Sequence, residues 1–170
     1  MSKLGFAFML SILSAAPLQA QPPYDCSAQG HHRDFDFWLG HWEVSDSEGK
    51  QAGHNIISTA QKGCLLNEHW TSAAGNTGQS SNFYNPVTGQ WRQLWVDAGS
   101  SIIDISGGLD DDSMVLTGSI FYLKAGTKHA FRGRWTPLKD GSVRQFFEQQ
   151  DSDGKWQVWF EGFYRRVSTG

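Results

Sequence analysis

A period-two alternation of apolar and polar residues runs from Gly40 to Arg165 and limits the folds that this chain can adopt. The alternating segments are short, and clusters of Gly, Asp, Asn and Pro separate them about every 8–12 residues. Alternation places successive side chains on opposite faces of a β-strand, and the clusters supply the turns between strands. The sequence therefore predicts an all-β domain.

About ten strands are expected in this part of the chain. We place them at His41–Ser47, His54–Ala60, Cys64–Ser72, Gln79–Tyr84, Trp91–Ala98, Ser101–Ser106, Met114–Tyr122, His129–Thr136, Ser142–Gln149 and Trp156–Arg165. Several connections, such as Asp151–Gly154, place Gly where a tight hairpin needs positive φ, so consecutive strands should pair antiparallel. Closure of such a meander removes both exposed sheet edges, which favours a ten-stranded antiparallel closed barrel.

A short apolar segment precedes the first strand. Phe35, Trp38 and Leu39 have the i, i+3, i+4 spacing of one helical face, and Gly40 follows them. We expect a single N-terminal helical turn that covers one end of the barrel. The barrel domain is accordingly expected over residues 34–168, after an N-terminal extension over residues 21–33.

The first twenty residues have the layout of a secretory signal peptide. Lys3 precedes the apolar run Leu4–Leu13, and small residues follow up to Ala20. The run is shorter than the roughly 20 apolar residues of a membrane span. We therefore expect cleavage after Ala20 and a periplasmic or secreted protein without a stable membrane span, with an uncleaved N-terminal anchor as the alternative.

The net charge, the cysteines and the histidines limit which partners, bridges and cofactors are expected. Removal of the leader takes away Lys3 and moves the formal net charge from −3 to −4, which argues against a nucleic-acid partner. Cys26 and Cys64 are the only cysteines, and in an oxidising compartment such a pair predicts a disulfide, with two free buried thiols as the alternative. The six His have no metal-ligand spacing, so no metal and no cofactor are expected.

A wider set of motifs carries a family resemblance. The segment Phe35-Asp36-Phe37-Trp38-Leu39-Gly40-His41-Trp42, with Gly63-Cys64, Glu68-His69-Trp70, Trp91–Asp97 and Phe160–Arg165, resembles a family of secreted bacterial proteins of unknown function. Gly40-His41-Trp42 also resembles the entry of the calycin barrels, the lipocalin and fatty-acid-binding relatives. This resemblance implies a lipocalin-like barrel and no established catalytic residue.

The calycin resemblance also implies how the barrel closes. In those barrels the Trp of the entry motif covers one end, and a basic residue near the last strand packs across it. Here Trp42 and Arg165 take these roles, and Arg166 stands beside Arg165. Some ten-stranded relatives hold haem through a His near the C-terminus, but the last His of this chain is His129, so haem is not expected.

Alternation also predicts which side chains face the barrel interior. In the strand Trp91–Asp97, one face carries Trp91, Gln93, Trp95 and Asp97, and aromatic walls with a few polar groups are typical of ligand cavities. The same mixture recurs elsewhere, in Leu66-Glu68-Trp70, Ser80-Asn82-Tyr84 and Arg144-Phe146-Glu148. The candidate ligand-binding residues are Trp70, Tyr84 and Trp95 as walls, with Glu68, Asn82, Gln93, Arg134 and Glu148 as polar contacts.

Three functions remain open from the sequence. We favour a barrel that binds a small apolar or amphipathic ligand in its lumen. The second is an enzyme that uses Glu68 and Glu148 as acid and base, and the third is a packed interaction module without a cavity. For the Glu and Arg candidates, the alternative is a place on the solvated outer face.

Overall fold

The computed structural model describes residues 24–167, and these form ten strands in one closed barrel. The strands are β1 (Gly40–Ser45), β2 (Gln51–Ala60), β3 (Leu65–Ser72), β4 (Thr77–Asn85), β5 (Gln90–Asp97), β6 (Ser101–Asp110), β7 (Ser113–Tyr122), β8 (Thr127–Pro137), β9 (Val143–Gln150) and β10 (Trp156–Arg166). The predicted signal peptide, residues 1–20, lies outside the described residues.

Every strand pairs antiparallel with the next, and β10 pairs with β1 to close the barrel. The predicted all-β, ten-stranded antiparallel barrel is therefore confirmed. All ten predicted strands are found, and the largest differences lie at two ends. β2 begins at Gln51 rather than at His54, and β6 continues to Asp110 rather than ending at Ser106.

The two ends of the barrel differ. The connections β2–β3, β4–β5, β6–β7 and β8–β9 lie at one end, which we call the plugged end, and the remaining hairpins lie at the open end. Three short 3-10 helices precede β1, at Cys26–Ala28, Gly30–Arg33 and Asp36–Trp38. Phe35 and Trp38 are fully buried, and the ring of Phe35 packs edge-on against Trp91 and Trp135 of the barrel. The predicted helical turn thus covers the plugged end.

Closure of this end involves Trp42 and a basic residue of β10. The guanidinium of Arg166 lies 4.3 Å from the centre of the Trp42 ring, and its Nη1 donates to the Leu39 carbonyl at 2.8 Å. Arg165 is exposed and pairs in register with Glu43. The prediction that Arg165 packs across Trp42 is therefore wrong, because neighbouring residues of a strand point to opposite faces and Arg166 is the one opposite Trp42.

The predicted disulfide between Cys26 and Cys64 is present, with the two Cα atoms 4.9 Å apart. It ties the first 3-10 helix to the β2–β3 connection at the plugged end. The N-terminal segment is thereby held against the barrel. Within residues 24–167, no helix has the length and apolar character that crossing a membrane requires.

Candidate functional site

A cavity of about 290 Å³ occupies the open half of the barrel. Its volume is close to the lower end of the ~300–1,000 Å³ range of small-molecule sites. Six strands line it, with the residues Ala52, Glu68, Trp70, Ser72, Gln93, Trp95, Ile103, Gln145, Phe147, Trp159, Phe160 and Tyr164. The barrel is therefore packed at the plugged end and hollow at the open end.

Aromatic rings form most of the cavity wall. Trp70 meets Phe160 edge-on with ring centroids 6.1 Å apart, and Phe160 lies 6.4 Å from Phe147. Phe147 in turn lies 6.1 Å from Trp159. With Trp95 on β5, these rings give the cavity a mainly apolar wall of the kind that holds a small organic molecule.

A β-bulge in β10 adds Trp159 to this wall. The register between β9 and β10 shifts between Val158 and Phe160. Consecutive strand residues normally point to opposite faces, but a bulge re-aims one side chain, and here both Trp159 and Phe160 line the cavity. The Trp159 indole donates to the Tyr122 hydroxyl at 2.9 Å and remains 39% exposed. Trp159 therefore stands at the cavity mouth.

Glycines on neighbouring strands make room for two of the rings. A Cβ atom at Gly53 would collide with the ring of Trp70, and one at Gly78 would collide with the ring of Trp95. Each indole therefore lies close against backbone that carries no side chain. The shape of the cavity wall depends on these two close approaches.

Asp97 fixes the orientation of the Trp95 indole. The indole Nε1 donates to Asp97 Oδ2 at 3.2 Å, and the Ser101 backbone N–H donates to Oδ1 at 3.0 Å. Burial acts to raise the pKa of Asp97, but the hydrogen bonds from Ser101 and Trp95 outweigh it and hold the pKa below its usual value. The carboxylate is therefore ionised at neutral pH, where it accepts hydrogen bonds best.

The floor of the cavity is a buried hydrogen-bond network centred on Glu68. Asn55 Nδ2 donates to Glu68 Oε1 at 2.7 Å, and Ser80 Oγ donates to Oε2 at 2.6 Å. The chain continues through Asn82, which donates to Ser80 Oγ at 2.8 Å, to Gln93, which donates to Asn82 Oδ1 at 2.8 Å. These side chains come from β2 to β5 and all face the interior.

Tyr164 and Gln145 complete the floor from the other side of the barrel. The Tyr164 hydroxyl donates to Gln145 Oε1, and it accepts from Asn55 Nδ2 at 3.3 Å. Asn55 therefore links the two halves of the network. Burial and the nearby charge of Glu68 raise the pKa of Tyr164 well above its usual value, so the hydroxyl stays neutral.

Glu68 is a buried carboxyl group with an unusually high pKa. Burial raises its pKa from 4.5 to about 7, against the opposing effect of the hydrogen bonds from Ser80 and Asn55. The ion pairs found within residues 24–167 do not include it. A buried carboxyl group without a cationic partner costs several kcal/mol when ionised.

The structure brings together four of the eight predicted ligand-binding residues at the cavity surface. Glu68, Trp70, Gln93 and Trp95 line the cavity. Asn82 belongs to the floor network, where it accepts a hydrogen bond from Gln93, but it does not line the cavity.

Tyr84 faces inward but lies at the plugged end. Its ring centroid is 5.2 Å from that of His32 and 6.3 Å from that of Trp91. The predicted role of Tyr84 as a cavity wall is therefore wrong, because β4 carries it past the floor to the opposite end.

Arg134 and Glu148 lie on the outer face of the barrel. Arg134 pairs with Asp110 at 2.5 Å, and Glu148 pairs with Arg132 at 2.6 Å. The prediction that they face the lumen is wrong, because Trp135 and Phe147, their sequence neighbours, take the interior positions. Glu68 and Glu148 are thus on opposite faces of the sheet and form no carboxylate pair.

Sequence analysis missed several residues of the site. They are Asn55, Ile103, Gln145, Phe147, Trp159, Phe160 and Tyr164. The mixed aromatic and polar face that identified Gln93 and Trp95 also occurs in Gln145 and Phe147, so the same criterion applied to the other face of β9 would have found them. No such pattern in the sequence predicts that Trp159 lines the cavity, because only the bulge in β10 turns it inward.

Comparison with known proteins adds no assignment. The chain matches no protein-family model, and no curated protein matches it significantly. Within residues 24–167, His, Cys, Asp and Glu side chains form no group of three or more that would hold a metal ion. Fold and geometry together define residues 24–167 as a closed all-β barrel with an aromatic-lined cavity at its open end.

Proposed function

We propose that this protein is an exported binding protein that holds a small, partly apolar molecule in the cavity at the open end of its barrel. One observation carries the proposal: rings from four strands wall the cavity, and a connected polar network forms its floor. This combination is what small-molecule sites use, with apolar walls for affinity and a few polar groups for orientation.

The energetics of the open half support a bound molecule. The aromatic rings of the cavity wall offer a ligand a large area for dispersion contacts. A ligand of matching shape makes those contacts and removes the rings from water. The plugged end shows that the same chain packs aromatic rings densely, since Phe35 and Trp38 are fully buried there.

Export is part of this proposal and rests on two observations. The disulfide between Cys26 and Cys64 fits an extracellular or periplasmic protein, because such bridges form and persist in oxidising compartments. The sequence of residues 1–20 has the layout of a signal peptide. We therefore propose that the mature protein works in the periplasm or outside the cell.

A second candidate function is an enzyme that uses the same cavity. The observation in its favour is the pKa of Glu68, which burial raises to about 7. A general acid or base works best when its pKa is near the working pH. Because Glu148 is on the outer face, Glu68 would have to act with a neutral partner such as Tyr164.

Two measurements test the proposed function. Native mass spectrometry of gently purified protein should show a mass excess that denaturation removes, and tryptophan fluorescence should respond saturably to a panel of metabolites and lipids. Trp95→Phe should reduce the fluorescence response, whereas Trp156→Phe should not, because Arg132 covers Trp156 on the outer surface. Absence of both a retained molecule and any saturable response would contradict the binding function, and chemical conversion of a bound molecule would favour the enzyme.

A further inference from the structure

We infer that the molecule held in the cavity carries a positively charged amine, whose nitrogen pairs with the Glu68 carboxylate while its apolar part lies among the aromatic rings. The inference rests on the proposed binding function and names the chemical class of its ligand.

The Glu68 carboxylate at the cavity floor favours a cationic ligand. Glu68 is 4% exposed, lines the cavity and has no ion-pair partner within residues 24–167. Four described Arg side chains of the barrel pair instead with other carboxylates, as Arg132 does with Glu148, and Arg166 lies over the Trp42 ring. A buried carboxylate needs a cation to offset its desolvation, and an ammonium group bound in the cavity that Glu68 lines would supply that cation.

The balance of hydrogen-bond donors and acceptors at the cavity floor favours a ligand that donates. Gln93 uses its amide nitrogen on Asn82, which leaves its carbonyl oxygen available, and Asn55 Oδ1 is buried without a hydrogen-bond partner. Each Glu68 oxygen accepts one hydrogen bond from the protein and has a second lone pair. The spare donors are the two amide hydrogens of Gln145, whose oxygen accepts from Tyr164, and the second amide hydrogen of Gln93, and these are fewer than the free lone pairs on the oxygens of the floor. The floor therefore has an excess of acceptors, and an ammonium group has three donors and no acceptor.

The aromatic wall of the cavity also favours a cationic ligand. Aromatic faces attract cations through their negative electrostatic potential, and Trp gives the strongest effect. Trp70, Trp95 and Trp159 all border the cavity above Glu68. An anionic ligand would meet both the Glu68 carboxylate and these ring faces unfavourably, whereas a cationic ligand with an apolar body is complementary to both.

Three probes of nearly the same shape and different charge test the inference: phenethylamine, phenethyl alcohol and phenylacetate. We expect phenethylamine to bind the full-length mature protein at pH 8 at least about tenfold more tightly than phenethyl alcohol, a ratio typical of one charge-assisted contact. Phenylacetate should bind most weakly. Isothermal titration calorimetry, with tryptophan fluorescence as a second readout, gives the three dissociation constants.

Glu68→Gln identifies the group responsible. This variant should reduce the preference for phenethylamine over phenethyl alcohol by about tenfold, and the matched variant Glu148→Gln, on the outer face, should leave the preference unchanged. The pH profile of the unmutated protein gives a readout that does not depend on a variant folding. Tyr164, the other titratable group that contacts this network, stays neutral, so the preference should fall as the pH is lowered through 7 and Glu68 is protonated.

The outcomes separate the inference from the proposed function. Saturable binding with equal affinity for the amine and the alcohol, or tighter binding of phenylacetate, would overturn the amine assignment and leave the binding function standing. A preference that survives Glu68→Gln and does not change between pH 5 and pH 8 would also overturn it. Failure of all three probes to bind, together with no molecule retained on purification, would overturn both.

Discussion

The Trp95 indole lies against the backbone of Gly78 on the neighbouring strand, so closely that a Cβ atom at position 78 would collide with the ring. The indole Nε1 also donates a hydrogen bond to Asp97, the residue that pairs with Gly78 across the two strands. The ring is thus held by a carboxylate and by close contact with a bare stretch of backbone. This pair of contacts sets the position of one cavity wall.

Gly78→Ala should push the Trp95 ring toward the cavity. Because the ring has backbone on one side, it moves into the space that a ligand would occupy, and we expect the affinities for phenethylamine and phenethyl alcohol to fall by about tenfold or more. The control is Gly108→Ala in β6, where a Cβ meets open space and φ is not positive. Calorimetric titration checks both variants, and equal affinities in the two would contradict the proposed role of Gly78.

Glu68→Gln should stabilise the protein at high pH. Burial raises the pKa of Glu68 from 4.5 to about 7, so the folded state binds the proton more tightly than the unfolded state does. The free energy of unfolding therefore loses the contribution of this group as the pH rises from about 4.5 to 7, and the loss is complete above pH 7. Gln removes the ionisation, and its stabilising effect at pH 8 should exceed that at pH 4 by roughly 3 kcal/mol.

Urea unfolding at pH 4 and pH 8 measures this difference. Glu148→Gln serves as the matched control, because its carboxylate lies on the outer surface beside Arg132. An identical effect of Glu68→Gln at the two pH values would show that Glu68 is not held in a desolvated site.

Glu148→Gln and Arg134→Gln should themselves have little effect. Both residues belong to ion pairs at the barrel surface, and pairs of this kind contribute about 0–1 kcal/mol to stability. Neither side chain borders the cavity. We expect unchanged probe affinities in calorimetry. A loss of binding in either variant would show that the substituted residue contributes to the binding site.

Arg166→Ala and Arg165→Ala should differ in stability. Arg166 lies over the Trp42 ring and donates to the Leu39 carbonyl, and together these contacts are worth about 1–3 kcal/mol. Arg165 is exposed, so its removal should change the free energy of unfolding by less than about 0.5 kcal/mol. Urea unfolding compares the two variants, and equal losses would contradict the assignment of barrel closure to Arg166.

The fold can be predicted well from the sequence because the patterns that locate the strands are local in the chain. Alternation and turn residues locate all ten strands, and closure follows from the need to remove free edges. The interior face is also predictable where one face is clearly different from the other. In β5, the inward residues Trp91, Gln93 and Trp95 alternate with Arg92 and other outward side chains, and the prediction for this strand is correct.

The prediction fails where both faces of a strand mix the same residue types. In β9, Arg144-Phe146-Glu148 and Gln145-Phe147-Gln149 each combine an aromatic ring with polar groups. The choice between them depends on contacts with distant parts of the chain, such as the hydrogen bond from Tyr164 to Gln145. The same reason explains why the bulge at Trp159 could not be predicted, since it is defined by the pairing of β10 with β9.

Binding of a small molecule at the open end of the barrel should change the indole N–H signals of the tryptophans around the cavity, and ¹H–¹⁵N NMR titrations with phenethylamine and with phenethyl alcohol follow those signals. We predict saturable shifts for Trp70, Trp95 and Trp159, which border the cavity. Trp38, Trp42 and Trp135, buried at the plugged end, should keep their positions. Unshifted signals with both probes, or shifts confined to the plugged end, would contradict a binding site at the open end.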